Sequence, residues 1–397
     1  MNQKKPWIAY VGPFSFPWGQ PGSRRVCGVA RSIADAGYDV VVACGSAEPV
    51  VATNLNEGEA PCSVTYLGLG EVPTPGFSLA SKLKQLFLDW GKKTVTWLDA
   101  QPTKPSHIVL YGGSAQYMFR LLTWCRANNV PLIVDVVEWY DANHMSGGFF
   151  GPFHISAKIA LHYYYPKCSG IIAISSYLAE HYRKLGCKVI IVPPTLDVQN
   201  HQLLSSDKYL HSSRLTLVYA GTPGKKDLLA NIIRGVAKVD ADGERVQLVV
   251  IGSSLKQVKQ LINNTEVPAF IKVLGLIPQN EVAAIIQQSD FSVFLREPIR
   301  FSQAGFPTKF VESMTNGTPV MANLTSDIGK YLHDGVEGLV CQDHSASAFA
   351  DALQRALLLS KTELQKMRYA TLKQAEHSFD FRTYTSSLSN FLVEVAQ

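Results

Sequence analysis

The stretch Gly305-Phe306-Pro307-Thr308-Lys309 combines residue types suited to holding a phosphate-bearing ligand. A glycine and a proline lead into a run with helical character, and Gly317 closes that run. Pro307 fits a first helical turn, Thr308 offers a capping hydroxyl, and Gly317 is a stop. A helix start beside a glycine presents unpaired N–H groups and the positive end of the helix dipole, both suited to a diphosphate. Lys309 adds a cation there, and Glu312, one turn further in, can accept hydrogen bonds from ribose hydroxyls. The same residues also read as an ordinary helix connection whose lysine and glutamate are solvated, and taken alone they leave both readings open.

The longer pattern G-F-P-T-K-F-V-E-S-x3-G-T-P-V from Gly305 to Val320, followed by Thr325-Ser326-Asp327-Ile328 and Asp334-Gly335-Val336-Glu337-Gly338, resembles the donor site of the GT-B glycosyltransferases of the large retaining, GT4-like group. The resemblance implies two Rossmann-like domains facing each other across a cleft, a nucleoside diphosphate sugar on the C-terminal domain, transfer with retention, and no metal or other cofactor. Val273-Leu274-Gly275-Leu276-Ile277-Pro278 matches the stretch whose backbone, at Leu276 and Ile277, holds the nucleobase. The family usually carries two glutamates separated by seven residues. Glu312 matches the second, and Ala304 stands at the first, which normally faces the donor sugar. Relatives with a P-T-K form of the motif look similar, so the departure concerns the sugar more than the nucleotide.

Three other stretches bring polar groups to the ends of expected strands. Gly221-Thr222-Pro223-Gly224-Lys225-Lys226-Asp227 follows a strand and opens a helix. A departing nucleoside diphosphate gains charge as its bond to sugar breaks, and without a metal fixed cations must stabilise it. Lys226 is the first choice for that role and Lys225 the second, with Arg296 at the end of another strand as a further candidate. A lysine pair on a solvated loop is the competing reading, and the position after a strand favours function. Gly19-Gln20-Pro21-Gly22-Ser23-Arg24-Arg25 sits at the first strand-to-helix turn and matches the family's glycine loop, with Gly22 and Ser23 near the donor. Arg24 and Arg25 face a charged acceptor or simply begin a solvated helix face. Glu138, Trp139 and His144 follow the strand at 132–137. Glu138 orients the acceptor hydroxyl or the donor sugar in one reading and is a buried, paired carboxylate in the other. Trp139 and His144 complete the acceptor-side candidates.

These residues need an α/β framework. Ile8 to Gly12 reads as a strand, Ser23 to Ala36 as a helix and Val40 to Ala43 as the next strand, the opening of a doubly wound domain. The pattern continues to Val192, breaks at Pro193-Pro194, and restarts at Leu215 to Ala220. The expected organisation is 1–195 as an N-terminal acceptor domain, 196–214 as a linker, 215–375 as a nucleotide-sugar domain, and 376–397 as a helix crossing back to the first domain. Asp240-Ala241-Asp242 precedes Gly243 and reads as turn chemistry, not as a metal-binding D-x-D. Spacing after the first strand lacks G-x-G-x-x-G, which excludes a nicotinamide site.

Composition agrees with a folded enzyme. The 397 residues are 46% hydrophobic and 17% charged, far from the disordered class. A net charge of +5 without a long basic block argues against nucleic acid. Seven cysteines, the nearest pair 17 residues apart, give no zinc spacing and fit a reducing compartment. No stretch of about 18 residues is apolar enough to span a bilayer, so the expectation is a cytoplasmic chain. The segment 77–97 has apolar residues near one helical face flanked by lysines. It reads as a covering helix or as a peripheral contact with the inner face of the cytoplasmic membrane.

The resulting expectation is a hexosyltransferase-type enzyme acting on a glycan or lipid-linked acceptor in bacterial surface or exopolysaccharide synthesis. The other readings are a sugar-nucleotide epimerase of the same fold and a non-catalytic binding relative.

Overall fold

A computed structural model describes residues 5–17, 21–46, 53–55, 63–71, 78–145, 147–199, 214–221 and 227–397. The chain divides into two compact units. Unit 1 comprises Met1–Thr195 and Phe381–Gln397, and unit 2 comprises Leu196–Asp380.

Unit 1 carries strands β1 (Trp7–Gly12), β2 (Asp39–Cys44), β3 (Thr53–Asn54), β4 (Val64–Gly68), β5 (His107–Tyr111), β6 (Leu132–Val136), β7 (Gly170–Ala173) and β8 (Val189–Ile191). Among the described residues they form one sheet in the order β3-β4-β2-β1-β5-β6-β7-β8, parallel except for the short edge strand β3. Its central strands are continuous apolar runs because helices cover both faces. Ile8 to Val11 of β1 are fully buried, with Ile8 in register with Val40 on one side and His107 on the other.

Unit 2 carries β9 (Leu215–Ala220), β10 (Val246–Ile251), β11 (Ile271–Gly275), β12 (Phe291–Phe294), β13 (Val320–Asn323) and β14 (Gly338–Cys341). They pair in parallel in the order β11-β10-β9-β12-β13-β14. Each sheet reverses its winding at its first long strand, β1 in one and β9 in the other. Such a reversal opens a crevice beyond the carboxyl ends of the strands.

The C-terminal helix returns to unit 1, as expected. Phe381–Tyr384 is a short 3-10 turn and Thr385–Ala396 the helix proper. Leu388, Phe391, Leu392 and Val395 are buried with Ile8, Tyr10 and Ile172 in the core of unit 1. Burying each such side chain contributes about 1.5–3 kcal/mol. Gly170 permits the approach: a Cβ there would lie 2.7 Å from the Phe391 ring and from a Val395 methyl. The His107 ring meets the Leu392 carbonyl at 2.9 Å.

The expected strands and helices lie within a few residues of those observed. Strands β4 and β14 and the helices Ala346–Leu358 and Lys361–Ser378 were not anticipated. Residues 200–213, most of the expected linker, lie outside the described residues.

Candidate functional site

The crevice end of unit 2 gathers side chains from three strand ends. Asp227 follows β9, Arg296 lies two residues beyond β12, and Asn323 ends β13. Lys309 stands on the helix Thr308–Thr315. Asp227 is the hub. Arg296 Nε donates to its Oδ1 at 2.8 Å, the Tyr219 hydroxyl donates to Oδ2 at 3.1 Å, and Lys309 Nζ donates to Oδ2. The Lys309 ammonium also lies 4.2 Å from the centre of the Tyr219 ring. Asn323 fixes Arg296 from behind: its Oδ1 accepts from the Arg296 amide at 2.9 Å and its Nδ2 donates to the Arg296 carbonyl at 2.8 Å.

Burial alone would raise the Asp227 carboxyl, but Lys309 and Arg296 outweigh it and hold the group well below the usual carboxylate range. In direct contact, two cations meet one carboxylate. Glu312, one turn along the helix, is a further carboxylate acting on Lys309.

Gly221 closes the cluster. Its φ of +144° demands glycine, and a Cβ there would lie 2.9 Å from Lys309 Nζ. With no side chain at 221, the backbone at the end of β9 comes close to the Lys309 ammonium. The helix Thr308–Thr315 begins in the same place. Pro307, with φ −74° and ψ 109°, occupies the N-cap position and makes no side-chain cap. Thr308 is thus the first helical residue and not the cap expected of it, because the extended proline already ends the loop. The first-turn N–H groups gain no side-chain acceptor from this cap.

The remaining donor-side candidates are placed as follows. Gly305 and Pro307 are buried in the loop before this helix, and Thr308 is half-buried. The Phe306 side chain belongs to the core, packed on Phe310, Tyr331 and Phe379, so only its backbone is available. Glu312 is half-buried one turn beyond Lys309. Ala304 is fully buried. Leu276 projects into solvent, 88% exposed, while Ile277 packs against a small cluster with Val218, Val249, Ile251 and Ile286. Lys225 and Lys226 lie outside the described residues.

Unit 1 places its candidates less uniformly. Arg25 is a correction to the acceptor-side expectation. It is fully buried and grips Asp135 side-on, with Nη2 to Oδ1 at 2.8 Å and Nε to Oδ2 at 3.1 Å. Its Nη1 donates to the carbonyls of Val192 and Pro193. Tyr10 completes the group by donating to Asp135 Oδ2 at 2.6 Å. Ser23 is also buried, its hydroxyl on the Ser15 carbonyl at 2.7 Å, and Gly22 lies against the Tyr111 hydroxyl. Arg24 and Glu138 are half-buried. Trp139 is held edge-on by His181, His162 and Tyr177 at centroid distances of 4.8, 5.3 and 6.1 Å. The side chain of His144 lies outside the described residues, as do residues 18–20.

Asp240 accepts from the amides of Arg245 and Val246 at 2.9 and 2.8 Å, which is turn chemistry. Among the described residues, no three His, Cys, Asp or Glu side chains gather as a metal site requires. No helix there is long and apolar enough to cross a membrane.

Comparison with known proteins assigns both units. The model of Glycosyltransferase Family 4 matches residues 22–200, and that of Glycosyl transferases group 1 matches residues 205–374. Unit 1 thus carries a family 4 glycosyltransferase domain and unit 2 a group 1 glycosyltransferase domain. Among curated relatives, the chain is 22% identical over 251 residues to the putative colanic acid biosynthesis glycosyltransferase WcaL of Escherichia coli, covering 60% of this chain and 61% of that protein. It is 24% identical over 220 residues to the D-inositol 3-phosphate glycosyltransferase of Corynebacterium jeikeium, covering 51% of each. The match thus spans less than two thirds of these relatives. Among solved structures, HepE of Anabaena, determined in complex with UDP and glucose, superposes with a TM-score of 0.68 at 13% identity over 98% of this chain and 99% of that one. The sucrose-phosphate synthase of Thermosynechococcus elongatus gives 0.71 at 14% identity over 98% of each. At such identities the likeness concerns the fold, which is GT-B.

Asp227 and Asn323 are the residues that sequence reasoning missed. Asp227 stands in the Gly221–Asp227 motif but was given no role. An acid directly after a lysine pair and before a helix was the one available signal.

Proposed function

We propose that the chain transfers a sugar from a nucleoside diphosphate donor to a hydroxyl of a glycan or lipid-linked acceptor, with retention at the anomeric carbon and without a metal. The observation that carries this reading is that Lys309 and Arg296 share a single contacting carboxylate, Asp227, beside the glycine at 221. The cluster sits where open parallel sheets bind their ligands. A diphosphate is the ligand whose charge matches it.

In this reading the bond between the anomeric carbon and the diphosphate oxygen breaks, and both electrons leave with the diphosphate. Lys309, Lys226 and the N–H groups at the start of Thr308–Thr315 take up the growing charge. Glu312 accepts from the ribose, and Leu276 and Ile277 border the base. The acceptor oxygen bonds to the anomeric carbon on the face the phosphate leaves, and its proton passes to the departing phosphate. Glu138 and Trp139 stand on the acceptor side. Ala304 places no carboxylate where the family usually has one, so the choice of sugar rests on other groups.

Kinship supports the biological setting. WcaL is described as a colanic acid biosynthesis enzyme, and the fold neighbour WaaB, with a TM-score of 0.63 at 12% identity, as a lipopolysaccharide outer core galactosyltransferase. We extend the reading to a bacterial surface glycan, made at the cytoplasmic face of the membrane. Phe87 and Leu88, exposed within the segment 77–97, support a membrane contact.

A thermal-shift screen of UDP, GDP, ADP, CDP and dTDP sugars tests the donor. A ligand that binds only the native state raises the unfolding temperature, and silence from all five classes would remove the reading. Lys226→Ala is expected to reduce turnover by orders of magnitude. Incubating the donor alone separates transfer from epimerisation, since only an epimerase yields a new isomer without acceptor. Donor binding with no transfer across a wide acceptor screen would mark a non-catalytic relative.

A further inference from the structure

Unit 1 turns an apolar stripe outward. On the segment from Pro152 to Tyr164, Ile155, Ile159 and Tyr163 recur one turn apart, and all three are exposed. Just before it, Phe149 and Phe150 are exposed at 60% and 84%. Phe149 lies over the same stretch, 5.5 Å from the His154 ring and 5.4 Å from the Lys158 ammonium. An amphipathic helix in a globular unit shows its polar face to water. This one shows apolar residues on both sides.

The stripe continues onto neighbouring elements. The Ala115 amide donates to Ser156 Oγ at 3.0 Å, which seats the helix Ala115–Asn128 beside the segment. Phe119, one turn beyond Ala115, is exposed. Arg120, the next residue, donates to the carbonyls of Trp90 and Leu88 at 2.6 and 2.7 Å, fixing the turn that exposes Phe87 and Leu88. Large apolar side chains exposed together on packed elements mark an interaction site.

Its charge chooses the partner. Lys82, Lys84, Lys92, Lys93, Lys158 and Lys167 are exposed on these segments, against the exposed acids Asp89 and Asp99. A second copy of this chain meeting the same surface across a two-fold axis would set lysines against lysines. An anionic lipid surface satisfies both parts at once, headgroups meeting the lysines and acyl chains the apolar side chains. We propose that this surface, centred on Phe149–Tyr163, seats the chain on an anionic bilayer. The inference rests on the membrane placement proposed above and moves its centre from 77–97 to 149–163.

Co-sedimentation of the full chain with phosphatidylglycerol-containing vesicles, against pure phosphatidylcholine vesicles, tests it. Wild type is expected to bind the anionic vesicles only, with affinity falling as salt rises. The quadruple variant Phe149→Ser, Phe150→Ser, Ile155→Ser, Ile159→Ser is expected to lose at least tenfold in partitioning, and Lys158→Glu with Lys167→Glu several-fold. Unchanged unfolding temperature and nucleotide binding in the variants would show that the fold is kept. If Phe87→Ser with Leu88→Ser abolishes binding and the quadruple variant keeps it, the inference fails and the contact through 77–97 stands. Wild type that ignores anionic vesicles overturns both. Self-association in sedimentation, lost in the quadruple variant and unaccompanied by vesicle binding, overturns the choice of partner.

Discussion

Both units build a tyrosine–carboxylate–arginine group from their first long strand, and the two groups are opposite in character. In unit 1, Tyr10 and Arg25 close on Asp135. In unit 2, Tyr219 and Arg296 close on Asp227. The first group is sealed: one cation balances one anion, the spare guanidinium donor is spent on the Val192 and Pro193 carbonyls, and Arg25 and Asp135 are 2% and 0% exposed. The second adds Lys309 and lies against the Gly221 backbone, so two cations share one contacting carboxylate. A one-to-one buried pair holds a fold together, whereas two cations on one carboxylate at a strand end suit an anion.

Breaking the sealed group is expected to have the largest effect. Arg25→Ala leaves Asp135 buried without its cation, held only by the Tyr10 hydroxyl, and should destabilise unit 1 by about 3–5 kcal/mol. Denaturant unfolding reads this as an early transition, while nucleotide affinity of the folded protein stays as it was. Lys309→Ala reverses the pattern. Asp227 keeps Arg296 and Tyr219, so stability changes little, but one charge-assisted contact to the diphosphate is lost. That is about 1.5–3 kcal/mol, or roughly ten- to a hundredfold in nucleotide affinity by calorimetry. Equal losses of binding in both variants would erase the distinction.

The acid limb of stability sharpens the comparison further. Asp227 is held below its unfolded pKa, so its contribution is fully present above about pH 4 and is lost as the pH falls beneath that. Asp227→Asn should flatten this limb in acid-unfolding curves. The smallest effect belongs to His107, whose folded pKa burial lowers despite its bond to the Leu392 carbonyl. The unfolded state takes the proton first as the pH drops through about 6.5, so stability is lost on the acid side. Protection factors of the amides in Thr385–Ala396, with the intrinsic pH dependence of exchange divided out, should fall between about pH 7 and 5, and His107→Gln should remove that dependence.

The sequence made the strands legible where they are continuous apolar runs, as at β1, β5 and β9. It hid β14, whose four residues follow the Asp334–Gly338 turn without a period to betray them. The helix Lys361–Ser378 was hidden because its buried residues include Arg368, Thr371 and Ser378, which do not read as an apolar face. Lys309 was recognised as a cation at a helix start, but not that Asp227 holds it, since 82 residues separate them. Arg25 and Asp135 are 110 residues apart, and an arginine after a glycine loop looks the same whether it meets a ligand or a buried acid. Pairings of this kind depend on which strands lie side by side, and local spacing carries no record of that.

The returning C-terminal helix has a consequence for the order in which the protein is made. A ribosome releases the eight strands of unit 1 long before Leu388, Phe391, Leu392 and Val395, which finish that unit's core. Until they arrive, the face at Gly170 that receives Phe391 and Val395 remains a docking surface without its occupant. Unit 2, encoded without interruption, can close first. The half of the protein translated first is therefore the half completed last.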